Sequence, residues 1–212
     1  MNKKNCITMM VLYAVFVIFT VLVANINVMP IGPEGSSVGF AFVNGPFHEL
    51  TGVNMSWYKI SEVFGYAALL SCAVFGCIGL IQIIKKKSIL KVDRDILCLG
   101  IFYVVVLAFY VLFEKVIINY RPVILEEGLE ASYPSSHTML TICTMSAAIM
   151  QTVRRVLNGR IKTLLVALCS LIMAGTFIGR LLSGVHWLTD IIGAILLSVA
   201  LVYTYCSVLK SE

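Results

Sequence analysis

The chain has 212 residues, of which 59% are hydrophobic and only 13% charged, with a formal net charge of +5. Soluble domains average about 25% charged residues, so a soluble globular domain is excluded, and the length suits one domain, residues 1–212. The charges are spaced so that six uncharged windows remain between them: Asn5–Pro33, Val63–Ile84, Ile96–Phe113, Thr138–Val153, Thr163–Gly179 and Ile191–Leu209.

A helix needs about 20 apolar residues to cross roughly 30 Å of hydrocarbon. Four windows reach that length unaided, and flanking uncharged or snorkelling residues extend the Thr138 and Thr163 windows. The expectation is an all-α polytopic membrane protein of six transmembrane helices. The first window, apolar from Cys6 to Val28, exceeds the 7–15 residues of a signal-peptide core and lacks a clear A-x-A site, so a retained span is expected.

Lysine and arginine set the orientation. With the N-terminus inside, twelve of the sixteen fall on the inner side, and only Lys59, Lys115, Arg121 and Arg180 lie outside. The run Lys85–Lys87 therefore reads as a topology anchor, and no nucleic-acid partner is expected. The location expected is the cell (plasma) membrane, with both termini cytoplasmic. Seven cysteines without a CxxC pair suggest neither a disulfide framework nor a zinc site.

After the first window comes a long outer segment, residues 29–62, with turn residues in its first half and aromatics among polar residues in its second. His48, Trp57 and Tyr58 read as interfacial. Trp187 reads as interfacial or as a wall beside His186. Glu126, Glu127 and Glu130 read as a solvated acidic loop.

The remaining polarity gathers on one side. Lys115 and Arg121 follow span three, His137 begins span four, Arg180 ends span five, and His186 and Asp190 begin span six. Ionisable groups in a membrane protein usually mark function. Arginine forks match phosphate oxygens, and Pro134–His137, "PSSH", opens a helix whose free N–H groups favour an anion. His186 and Asp190 stand at i, i+4, so the carboxylate can hold one ring nitrogen and leave the other as nucleophile or base. A second histidine, His137, could protonate a leaving oxygen. No metal or other cofactor is required by this set.

"RP" at Arg121–Pro122, "PSSH" and Arg180-x5-His186-x3-Asp190 resemble the three motifs of the type 2 phosphatidate phosphatase (lipid phosphate phosphatase) superfamily, in the same order over residues 115–190. The resemblance implies that His186 is the nucleophile forming a phosphohistidine, Asp190 its orienting partner, and His137 the general acid. It also implies that Arg121, Arg180, Lys115, Ser135 and Ser136 bind the phosphoryl group, without a divalent metal. Three positions depart from the pattern. Glu114 stands where the family has lysine, and Lys115 is one residue, or about 100° of helix, away; "PSGH" has become "PSSH"; and Gly179 replaces the serine before the arginine.

The expected activity is hydrolysis of a lipid phosphate or diphosphate at the outer leaflet, on either a polyprenyl diphosphate or a glycerophospholipid such as phosphatidate or phosphatidylglycerophosphate. A phosphotransferase of the same superfamily is the alternative enzyme. A transporter is the alternative from another class, although the charges gather at one face and no broken, repeated helices are visible.

Overall fold

A computed structural model describes residues 2–125 and 128–210, so the expectation for Glu126 and Glu127 lies outside the described residues. The described residues form seven α-helices and no strand: α1 Lys3–Asn25, α2 Ala41–Thr51, α3 Met55–Lys86, α4 Arg94–Lys115, α5 Ser136–Arg155, α6 Gly159–Ser183 and α7 Leu188–Leu209.

Helices α3 and α6 start at asparagine side-chain caps. Asn54 accepts hydrogen bonds from the N–H groups of Ser56 and Trp57 at the start of α3, and Asn158 does the same for Arg160 and Ile161 in α6. Each cap satisfies donors that the first turn leaves unpaired. Helix α6 stops at Gly184, whose φ of +65° only glycine adopts cheaply. A side chain there would also collide with the Gly52 carbonyl, whose oxygen lies 1.8 Å from an ideal Cβ.

Five helices, α1, α3, α4, α6 and α7, are long and apolar enough to cross a membrane. The Thr138–Val153 window, expected as the fourth of six spans, is α5, which is 20 residues long but rich in serine and threonine. Its polarity has a packing reason. Thr138, Met139, Thr141, Cys143, Thr144, Ala147, Ala148 and Gln151 are buried, enclosed by α3, α6 and α7. A helix sheathed by other helices needs no lipid-compatible surface. The outer helices, by contrast, expose many large apolar side chains, such as Val63, Leu70, Ile101 and Leu164.

Helices α3 and α6 approach closely because α6 offers Gly175 and Gly179 four residues apart. Phe64 fills the space over Gly175, and Ser61 Cβ and the Trp57 carbonyl oxygen would lie 2.8 and 3.1 Å from a Cβ on residue 179.

The two ends of the bundle differ. At one, Asp93 accepts from Gln82 (2.8 Å), Lys86 (2.9 Å) and Arg155 (3.3 Å), while Gln151 joins Arg155 to Tyr205. These contacts tie α3, α4, α5 and α7 together. The bonds from Lys86 and Gln82 hold the Asp93 carboxyl down at about 2. The other end carries the starts of α3, α5 and α7, the ends of α4 and α6, and the loops between them. Here Asn54 N–H donates to the Ser183 carbonyl, and Ser135 N–H donates to the Asp190 carbonyl.

Segment 29–62 divides in two. Its last eight residues belong to α3, which starts earlier than the apolar window suggested. The rest, including α2, packs over the start of α7. Asn44 accepts from Thr189 N–H (3.2 Å), and its amide donates to Thr189 Oγ1 (2.9 Å) and to the Gly39 carbonyl (2.8 Å).

Candidate active site

Residues 119–121, after α4, pair with residues 130–132, before α5. Tyr120 bridges to Ala131, Arg121 N–H donates to the Glu130 carbonyl, and Ser132 N–H donates to the Asn119 carbonyl. This pairing delivers Arg121 to the open end of the bundle, beside the turn that carries His186 between α6 and α7.

His186 and Arg121 meet there. Arg121 Nη1 lies 3.3 Å from His186 Nε2. A guanidinium has only donors, so Nε2 must present its lone pair toward Arg121. The tautomer then places the proton on Nδ1, which lies 3.5 Å from Asp190 Oδ2, in contact but without hydrogen-bond alignment. Burial holds the His186 pKa well below its ordinary value, and the charges of Arg121 and Arg180 act in the same direction. The buried imidazole is therefore neutral, with Nε2 available as a nucleophile.

Asp190 is fixed by its surroundings. Oδ2 accepts from Trp187 N–H at 2.9 Å, and Asn119 Nδ2 approaches Oδ1 at 3.5 Å. Trp187 is buried, not interfacial, and its indole N–H donates to the Tyr120 carbonyl at 2.7 Å. His48 packs against the other side of that indole, with ring centroids 5.3 Å apart. The outer segment thus backs the turn that bears the nucleophile candidate.

Arg180 is completely buried. Its Nη2 is paired with Glu62, and its guanidinium carbon lies 4.8 Å from the centre of the Tyr58 ring, while Nε and Nη1 are buried without a protein partner. The Tyr58 ring thus lies against Arg180. His137 Nε2 lies 3.0 Å from the same Glu62 oxygen. Ser135 caps α5 from a buried position, its hydroxyl 3.0 Å from Thr138 Oγ1, and Ser136 is the first helical residue. The N–H groups of residues 136–138 have no intrahelical acceptor.

A cavity of about 600 Å³ opens onto this cluster. Arg121, Ser136 and His137 line it together with Glu114, Glu130, Leu69, Tyr110 and Leu140. Its lining is thus part polar and part apolar. Glu130 pairs with Arg121 at 2.8 Å and so belongs to the site, not to a merely solvated loop. Lys115 lies exposed at the last residue of α4, and Glu114 is the one of the pair that lines the cavity. This outcome follows from the one-residue shift, since adjacent helical residues point about 100° apart.

Of the residues expected from the sequence, Arg121, His137, Arg180, His186 and Asp190 converge with Ser135 and Ser136. Glu62 was not foreseen, nor were Asn119 and Tyr58. Glu62 carries no local signature, because its partner Arg180 is 118 residues away. Among the described residues, no three His, Cys, Asp or Glu side chains are placed to hold a metal ion.

A family model described as the PAP2 superfamily matches residues 66–211, about two thirds of the chain. No curated protein matches the sequence. Among solved structures, the crystal structure of a transmembrane PAP2 type phosphatidylglycerolphosphate phosphatase from Bacillus subtilis superposes with a TM-score of 0.66. The match covers 96% of this chain and 97% of that one at 16% identity. At that identity the likeness is one of fold, and the neighbour is also a transmembrane protein. With the motif order, the convergent side chains and the family match in agreement, this membrane-type helical chain belongs to the PAP2 superfamily.

Proposed function

We propose that this phosphatase-fold protein hydrolyses a lipid phosphate at the outer face of a bacterial plasma membrane, through a covalent phosphohistidine on His186. The observation that carries the reading is the 3.3 Å approach of Arg121 Nη1 to His186 Nε2, which sets a neutral nucleophile beside a phosphate-binding cation.

In the first half-reaction, His186 Nε2 attacks phosphorus in line with the leaving alcohol oxygen. Arg121, Arg180 and the N-terminus of α5, with Ser135 and Ser136, hold the equatorial oxygens, where the transition state spreads its charge. The Asp190 carboxylate, 3.5 Å from Nδ1, stabilises the developing imidazolium. His137 protonates the departing oxygen and then deprotonates the water that cleaves the phosphohistidine. No step calls for a divalent metal.

The cavity's mixed walls support a lipid substrate: a phosphate at Arg121 and His137 leaves its chain against Leu69 and Leu140. The phosphate class of the solved neighbour makes a glycerophospholipid phosphate the first substrate to try, with a polyprenyl diphosphate beside it. Twelve of sixteen basic residues lie on the inner side of the proposed topology, which supports an extracytoplasmic site. In this reading α5 is the fourth of six spans, a polar one shielded from lipid.

The test is phosphate release by detergent-purified protein across a panel of lipid phosphates, run in chelator, with acid quenching to trap labelled phosphoprotein. Wild type should turn over and trap label, and His186→Ala should do neither. Wild-type turnover by His186→Ala would refute the nucleophile assignment, and loss of activity in EDTA would refute metal independence. Vanadate, which mimics five-coordinate phosphorus, should inhibit.

A further inference from the structure

Glu62 stands inside the phosphate-binding cluster, yet no motif contains it. We propose that Glu62 is a positioning residue: one carboxylate oxygen orients the Arg180 guanidinium and keeps His137 supplied with the proton it delivers to the leaving oxygen. The proposal rests on the phosphatase reading above.

The geometry is economical. Glu62 Oε1 contacts both Arg180 Nη2 and His137 Nε2, the latter at 3.0 Å. Helix α3 contributes two side chains to Arg180 from one face, Tyr58 and Glu62, four residues apart. Tying Nη2 back leaves Nε and Nη1, buried and without protein partners, as the donors available to a phosphate. A buried guanidinium with idle donors is expensive, and a ligand's oxygens would relieve that cost.

The close approach that makes this possible depends on Gly179. A side chain at 179 would press on Ser61 and the Trp57 carbonyl, the residues flanking this turn of α3. The serine that the superfamily resemblance leads one to expect here would therefore drive α3 away from α6. The space that a side chain at 179 would need is taken by α3, the helix that brings Glu62.

His137 is faced by Glu62 from α3, Arg180 from α6, and Arg121 and His186 from the two adjoining loops. Glu62 supplies the negative charge in direct contact with His137, and that carboxylate favours an imidazolium against burial and the repulsion of the two arginines. With Nε2–H donated to Glu62, Nδ1, buried and unpartnered, is left to carry the transferable proton. In the transfer step the His186 Nε2 lone pair forms the N–P bond and the P–O bond to the alcohol breaks. The electron pair left on that oxygen takes the Nδ1 proton of His137. The neutral ring keeps its Nε2–H on Glu62, and water attacking the phosphohistidine returns a proton to Nδ1.

The experiment compares wild type, Glu62→Gln and Glu62→Asp on two substrates, short-chain phosphatidate and p-nitrophenyl phosphate. The first has an alkoxide leaving group that needs a proton, the second a leaving group that does not. Glutamine retains an acceptor for Arg180 and removes the charge beside His137. The expected result is a kcat on phosphatidate at least about tenfold lower, since general acids contribute roughly 10²–10⁴-fold. KM and p-nitrophenyl phosphate turnover should stay within about threefold. Glu62→Asp retains the charge but withdraws it by one methylene, and should shift the ratio of the two rates in the same direction by a smaller factor. That variant carries the test if Glu62→Gln does not fold.

Equal losses on both substrates would overturn the proposal. So would a lower KM with kcat unchanged, which would make Glu62 a stand-in for phosphate that substrate must displace. Wild type inactive on both substrates would refute the phosphatase reading itself, and this proposal with it.

Discussion

Arg180→Lys isolates what the shape of a guanidinium contributes beyond its charge. The side chain is fully buried, one nitrogen is committed to Glu62, and Nε and Nη1 are left without protein partners. If those two groups each donate to a phosphate oxygen, each charge-assisted bond contributes about 1.5–3 kcal/mol. Losing both weakens transition-state binding by about 3–6 kcal/mol, or roughly 10² to 10⁴ in kcat/KM, at about 1.4 kcal/mol per decade. A lysine ammonium keeps the charge that Glu62 needs, so the fold should survive, but it is a single point donor and cannot span Glu62 and a phosphate at fixed angles. The assay is kcat/KM for lipid phosphate release, with a detergent melt to verify folding. A folded Arg180→Lys protein within tenfold of wild type would refute the claim that Nε and Nη1 are phosphate donors.

Three other perturbations test different parts of the structure. Lys115→Ala should leave kcat/KM within about threefold, because Lys115 is exposed and outside the cavity lining; a loss of about a hundredfold would place its ammonium on the phosphate. Gly179→Ser should lower the melting temperature, since overpacking costs about 1–3 kcal/mol, and should lower activity as well by displacing Glu62; an unchanged melt would show that α3 yields freely. With its pKa depressed, His186 in the folded chain takes up a proton less readily than in the unfolded chain as pH falls below about 6.5. The His186 contribution to stability is therefore present above that pH and lost as pH falls toward the folded value. The melting-temperature difference between wild type and His186→Gln should shrink from pH 7.5 to 5, and a difference that widened on acidification would contradict a neutral buried ring.

Much of this protein is legible one residue at a time. Apolar windows are a local property, so the five helices that are long and apolar enough to span follow from composition, and the fourth window marks α5 correctly as a helix. The spacing of His186 and Asp190 is equally local, as are the arginine–proline pair and the helix start at Ser136. Their chemistry needs only the right side chains on the right turns. The end of the bundle they share follows from counting helices.

What the sequence did not disclose depends on which surfaces touch. The polarity of α5 is intelligible only once α3, α6 and α7 enclose it, because burial among helices and burial in lipid place different demands on a side chain. Trp187 has the composition of an interface residue but is buried in the turn before α7, and Tyr58 gains a contact with the Arg180 guanidinium that its sequence neighbours do not announce. Lys115 and Glu114 differ by one position, and only the placed helix shows which of them lines the cavity. Glu62 is the clearest case. Nothing near it in the chain distinguishes it from any polar residue at a helix start, and it gains a role only because two glycines on α6 let α3 come close enough for one carboxylate to reach both Arg180 and His137.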